Sequence, residues 1–299
     1  MSERLRILYV IQGILPNTGP GRHLYKLMAY RNRETQDARI FAFDECDGPM
    51  MESLVHEHNV PSVVIGGRFT SWRTYRKGWP QLIRMIREYR PHVIQTHHTP
   101  IVDWAARLAG RHTGVPLNLS RAVGQPKNYH TTRRGRSAWW FTRTGDTLTR
   151  RMVDYYLPNS TDVANYLQEV EGINPKKIIT VFNGIDTDDF RPTPELLAAG
   201  RALLGLKEGD RLAAMVGTIK SHKGQQHLVE AFAAVAAEFP TLHLALIGKP
   251  MSADDHAYQE GLRAYAAEHG LGHRLLLPGQ QRDVRPILAA ADVYAHASF

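Results

Sequence analysis

VGTIKSHKGQQHLVEAF, Val216–Phe232, is the stretch from which the rest of the chain is read. Apolar Ala213–Val216 fits a short buried strand, Gly217 permits a tight exit, and Lys223-Gly224 opens a helix with Leu228, Phe232 and Val235 on one face. A helix start presents free N–H groups and a positive dipole end, so with one ammonium beside it the unit suits a diphosphate. Lys223 would act there as a point charge, not as a bidentate clamp. The plainer alternative is a solvated lysine on an ordinary strand–turn–helix unit.

On either side, short β-branched runs alternate with helical patterns, which argues for parallel sheets of βαβ units. Strands are expected near 5–12, 38–43, 61–65, 92–96, 115–120, 153–157 and 178–182, and helices near 22–32, 49–58, 79–89, 101–112, 137–150 and 160–170. Asn183-Gly184, followed by Asp186, Asp188, Asp189, Pro192 and Pro194, reads as a crossing between domains. A second series places strands near 212–217, 242–247, 273–277 and 292–296, with helices near 195–204, 224–238, 255–269 and 283–290. The fold class is therefore α/β, with two consecutive Rossmann-like, doubly wound parallel-sheet domains, 1–182 and 183–299. No crossover helix follows Tyr294-Ala295-His296, so the second domain is expected to be truncated at Phe299.

The 299 residues, 43% hydrophobic and 22% charged, suit a globular protein with room for two cores. No apolar run reaches the roughly 18–20 residues that span a bilayer. Arg4 and Arg6 before Ile7–Leu15 imitate a signal peptide, but Gln12 interrupts the run and no small-residue cleavage site follows. The lone Cys46 excludes an internal disulfide framework and fits a cytoplasmic location. The net charge is +8, and Arg121, Lys127, Arg133, Arg134, Arg136, Arg143, Arg150 and Arg151 concentrate it around Trp139, Trp140 and Phe141. Such a stretch suits peripheral attachment to an anionic membrane's inner face, a phosphorylated acceptor or a nucleic acid, or is simply a solvated face.

With these pieces in hand, the chain resembles the family 4 glycosyltransferases of GT-B fold. TGPGRHLYKLM (Thr18–Met28) resembles the family's glycine-rich first loop with its Arg-His and amphipathic helix. NGIDTDDF (Asn183–Phe190) is similar to its interdomain signature, VGTIKSHKG to its VGR…KG segment, and LIGKP (Leu246–Pro250) to its strand-plus-glycine turn. Leu277–Ser298 resembles the approach to its donor site. The resemblance implies transfer of a sugar, with retention, from a nucleotide-sugar donor to a cell-envelope, lipid-linked or polysaccharide acceptor such as a lipopolysaccharide precursor. Residues 1–182 would be the acceptor side and 183–299 the donor side, with no cofactor beyond the nucleotide-sugar co-substrate and no metal.

By the same resemblance Lys223 contacts the diphosphate, and Gly19 lets the first loop approach donor phosphates and acceptor. Gly217, Thr218, Gly224, Gly248 and Gly279 border the nucleotide. Thr218 stands where the family usually has arginine, so Lys223 carries the charge alone unless Lys220 or His222 substitutes. The family's paired glutamates would lie just beyond Phe299. Its histidine after the fifth strand is not evident either; Arg121 occupies that region. His97 and His98, ending the fourth strand, match a histidine-containing family segment, and His97, His98 and Arg121 are the catalytic candidates. For each a plainer reading exists: a satisfied structural histidine, or an arginine paired with a carboxylate such as Asp103.

Rival classes fare less well. Gly19-Pro20-Gly21 begins a dinucleotide fingerprint, but Leu24 replaces its third glycine. His56-Glu57-His58 and His97-His98 lack zinc spacing, and neither a nucleophile elbow nor a P-loop is present. Nucleic acid is not expected as a partner. A non-catalytic binding fragment of the same fold and a nucleotide-sugar 2-epimerase stay open as alternatives.

Overall fold

A computed structural model describes residues 3–13, 19–46, 48–67, 72–97, 100–122 and 144–298. The chain divides into two compact units, Met1–Gly184 and Ile185–Phe299.

The first unit holds β1 (Leu5–Ile11), α1 (Gly19–Ala29), β2 (Gln36–Ala42), α2 (Gly48–His56), β3 (Ser62–Val64), α3 (Trp72–Tyr89), β4 (Val93–His97), α4 (Pro100–Thr113) and β5 (Leu117–Arg121). Helical residues 144–149 (α5), β6 (Tyr155–Tyr156) and α6 (Thr161–Glu169) follow. The strands pair in parallel in the order β3-β2-β1-β4-β5-β6, the doubly wound order whose switch point lies between β1 and β4.

Strand alternation explains why both faces need cover. On β1, Leu8 and Val10 join the core under α3 and α4, while Ile7, Tyr9 and Ile11 join the one under α1 and α2. Ser160 caps α6 by accepting from the Val163 amide at 3.2 Å, as its sequence suggests.

The second unit holds α7 (Pro194–Leu204), β7 (Arg211–Val216), α8 (Gln225–Val235), β8 (Leu242–Ile247), α9 (Ala253–Glu268), β9 (Leu275–Leu276), α10 (Arg285–Ala290) and β10 (Val293–Tyr294). Its parallel sheet runs β10-β7-β8-β9, with α8 and α9 over one face and α7 and α10 over the other. Gly200 lets α7 press on α10, since a Cβ there would sit 1.9 Å from the Pro286 carbonyl oxygen.

Three expectations need correction. Residues 178–182 form no strand; Ile178 makes one isolated bridge to Tyr156, and Ile179, Val181 and Phe182 are exposed, so their alternation buries nothing. Lys223 does not open a helix: it ends a 3-10 turn, and Gly224, at φ +71°, precedes α8. The buried stripe of α8 is Val229 and Phe232, whereas Val235 is 38% exposed.

Candidate functional site

In the second unit, the loops beyond the sheet's carboxyl edge are tied by backbone bonds that two of the expected glycines donate. The Gly217 amide donates to the Ile247 carbonyl at 2.9 Å, and the Gly248 amide to the Gly279 carbonyl at 3.0 Å. Gly248, at φ +153°, has no room for a side chain, because a Cβ would lie 1.8 Å from the Gly217 carbonyl oxygen. Around Gly217 itself the space is open. Three of the expected residues, Gly217, Gly248 and Gly279, thus line the ends of β7, β8 and β9 where ligands of such sheets bind.

From Gly217 the chain turns through exposed Thr218 and fully buried Ile219, which anchors the loop in the core. Buried Gln225 donates through Nε2 to the Thr218 carbonyl at 2.8 Å, stapling that loop to the first turn of α8. Gly224 is also required sterically: a Cβ would meet the Ala297 carbonyl oxygen at 1.9 Å. Gly224, the residue before α8, has no side chain to cap it, and the Tyr258 hydroxyl accepts from the Gln226 amide of the first turn at 2.9 Å. Half-buried Lys223 sits beside that start, and its ammonium is paired with no carboxylate among the described residues. Lys220 is engaged differently, 3.8 Å from Asp255, and His222 is exposed.

In the first unit, alternation collects polar groups on the α1 face. Tyr9, His97 and Arg121 share odd positions with Ile7, Val93 and Leu119, all on that face. The Tyr9 and His97 rings lie 6.2 Å apart, and Gln95 Nε2 and His97 Nε2 are 3.4 Å apart. His23 on α1 completes the group, with its Nε2 buried and unbonded. Burial, then the Arg121 charge and His23, pushes His97 down to about 3, and burial with Arg121 lowers His23, so both imidazoles are neutral. Burial pushes Tyr9 up to about 12.

Arg121 is 3% exposed and does not pair with Asp103. Its Nη2 donates to Asn183 Oδ1 at 2.6 Å and to the Val181 carbonyl at 3.3 Å. Asp103 belongs to the opposite face, where it accepts from Ser120 Oγ at 3.1 Å and Arg107 Nη2 at 3.4 Å. Arg107 also reaches Asp146 at 2.5 Å and Thr149 at 3.0 Å.

Gly19 is the first residue of α1 and not part of a loop. His98 and most of the basic-aromatic stretch, 123–143, lie outside the described residues. Tyr9, His23 and Asn183 were given no site role from sequence, although strand parity brings Tyr9 beside His97 and Asn183 opens the interdomain signature.

Two parallel-sheet units, each with a polar carboxyl edge, define a Rossmann-like two-unit protein. Residues 17–189 match the family profile described as Glycosyltransferase Family 4, and residues 200–299 the one described as Glycosyl transferases group 1. The chain belongs to Glycosyltransferase Family 4. It is 32% identical over 148 residues to the D-inositol 3-phosphate glycosyltransferase of Mycobacterium bovis, a match covering 49% of this chain and 29% of that protein. The match therefore spans under a third of that curated relative's length.

Among solved structures, Anabaena HepE in complex with UDP and glucose gives a TM-score of 0.76 at 19% identity, over 99% of this chain and 74% of that chain. A Rickettsia africae glycosyltransferase gives 0.77 at 16% identity, over 99% and 74%. At such identities the likeness is one of fold, GT-B.

Proposed function

We propose that the protein transfers a sugar from a nucleotide-sugar donor to a cell-envelope, lipid-linked or polysaccharide acceptor, with retention of configuration. The observation that carries this reading is the Lys223 ammonium, which pairs with no carboxylate among the described residues, at the start of α8 and beside the row of Gly217, Gly248 and Gly279. Open space around Gly217 and Gly279 lets a diphosphate lie close to the backbone, while Gly248 lets the β8 loop pack against Gly217. Lys223 and the positive dipole end of α8, whose Gln226 amide is already engaged by Tyr258, then meet the negative charge that grows on the diphosphate as the glycosidic bond breaks. No cofactor or metal enters the reaction. Family membership supports this chemistry, and the ligands of Anabaena HepE, UDP and glucose, make UDP-sugars the first donors to try.

The first unit takes the acceptor at the ends of β1, β4 and β5. Neutral His97 and His23 there donate or accept hydrogen bonds to sugar hydroxyls, and Arg121 supplies charge.

Peripheral attachment to an anionic bilayer is part of the proposal. No helix among the described residues is long and apolar enough to cross a membrane. On α3, however, Arg73, Arg76, Lys77, Arg84 and Arg87 are all exposed and fall within an arc of about 120°. A groove of about 590 Å³ lined by Trp79, Pro80, Ile83, Arg84, Arg87, His112 and the acidic Glu88 runs beside them.

Thermal-shift screening of the chain against nucleotide-sugars tests the reading, because a ligand specific for the native state raises Tm by mass action. Stabilisation by one nucleotide-sugar class that Lys223→Ala removes is the expected result. Uniform indifference to every nucleotide-sugar overturns it.

A further inference from the structure

The first unit contains two arginines that are each 3% exposed, Arg107 and Arg121, and they are solved differently. Arg107, on α4, is balanced by Asp103 of the same helix and by Asp146 of α5. Arg121 follows Ser120 on the same strand, so it points to the opposite face. No carboxylate pairs with it among the described residues. Both hydrogen bonds it makes leave from Nη2 and end on uncharged oxygens of Asn183 and Val181, and its Nε is buried without a partner.

A guanidinium cannot shed its proton to escape burial, unlike a lysine or histidine. A buried charge is normally paired or strongly hydrogen-bonded, since desolvating it alone costs several kcal/mol. No described residue around Arg121 meets that need: Tyr9 keeps its proton, and His97 and His23 are uncharged polar groups. Among the described residues the counter-charge is therefore missing, in a unit that supplies two acids for Arg107.

We infer that the carboxyl ends of β1, β4 and β5 form a pocket for an anionic substituent of the acceptor, a phosphate or a carboxylate, with Arg121 as its counter-ion and His23 and His97 as neutral hydrogen-bonding walls. This rests on the proposed acceptor role of the first unit. It narrows the acceptor class to molecules that carry a negative group close to the reacting hydroxyl.

The test is calorimetric titration of the full chain with hexose, inositol and glycerol phosphates and hexuronates, alongside inorganic phosphate and the uncharged parent compounds. Histidine ¹⁵N spectra locate the site through His97 and His23. At least one organic anion should bind about ten-fold or more tightly than its uncharged parent and than inorganic phosphate, and should move the imidazole signals. Arg121→Gln should lose this preference and Arg121→Lys keep part of it, while nucleotide binding at Lys223 is unchanged in both. Equal binding of charged and uncharged compounds by the wild-type chain overturns the inference, whatever the variants' folding. So does an organic anion preference that survives Arg121→Gln, or inorganic phosphate outcompeting every organic anion. A chain that binds nucleotides but no acceptor anion refutes this pocket alone; a chain that binds anions but no nucleotide refutes the donor reading alone.

Discussion

Arg121 donates from Nη2 to Asn183 Oδ1 at 2.6 Å, which ties the end of β5 to the last residues of the first unit. The bond relieves part of the desolvation of a guanidinium that lacks a carboxylate. Removing it by Asn183→Ala should cost about 1.5–3 kcal/mol of stability, the range for a hydrogen bond to a charged group. Asn183→Asp should do the reverse: the new carboxylate supplies the absent counter-charge, raises stability by about 1 kcal/mol and abolishes anion binding at Arg121. Urea unfolding with phosphate-ester titration checks both variants.

The glycine row offers a sharper contrast. Gly248→Ala places a methyl group 1.8 Å from the Gly217 carbonyl oxygen at a φ of +153°, so it should destabilise by roughly 2–4 kcal/mol. Gly217→Ala meets open space and should leave Tm within a few degrees of wild type while weakening nucleotide binding, because the methyl group occupies the approach to the backbone. Thermal melts with and without UDP separate a structural effect from a binding effect.

Arg107 is held between Asp103 and Asp146 despite burial, and the two carboxylates keep its pKa raised. Deleting one partner by Asp103→Ala leaves a buried charge half-compensated and should cost about 3–5 kcal/mol. Asp103→Asn, which keeps the hydrogen-bond acceptor, should cost less. Neither should alter nucleotide affinity in the folded fraction.

His97 makes stability depend on acid. Its ordinary value is 6.5 and its folded value about 3, so between those pH values the unfolded chain binds the extra proton. Stability is therefore full above about pH 7 and falls as pH drops through 6.5 toward 3, with a slope of at most about 1.4 kcal/mol per pH unit from this group. His23 shifts in the same direction and adds to the slope. His97→Gln should flatten the curve between pH 6.5 and 5, above the carboxylate range, in chemical denaturation at stepped pH.

Flotation of the chain with vesicles rich in anionic lipid checks the exposed basic stripe of α3. Binding should fall steeply with salt and be lost when Arg76, Lys77, Arg84 and Arg87 are changed to Glu together. Binding that persists in the reversed variant would remove α3 from membrane attachment.

Much of this architecture was legible because the strands obey simple rules. Leu5–Ile11 and Leu242–Ile247 are β-branched or leucine-rich runs with turn residues on either side, so their existence and order follow from pattern. Residues 178–182 show where pattern fails: their alternation matches a strand, but the chain runs along the sheet's last strand with exposed side chains, which only tertiary structure decides. In the site, glycines at strand ends were readable because tight turns demand them. The Arg121–Asn183 bond was not, since the two residues are 62 apart in sequence and meet only once β6 and α6 have folded back. The pairing of Asp103 with Arg107 was open to inspection as an i, i+4 spacing on α4, and it displaces the Asp103–Arg121 alternative.

Calorimetric titration of the wild-type chain and Lys223→Ala with UDP, GDP, ADP and TDP addresses the central claim most directly. Wild type should bind one of these diphosphates, with Lys223→Ala weaker by about ten- to hundred-fold, the loss of one charge-assisted contact, at an unchanged Tm without ligand. Equal affinity in the two proteins, or no binding by wild type, would contradict the placement of the diphosphate at Lys223 and the start of α8.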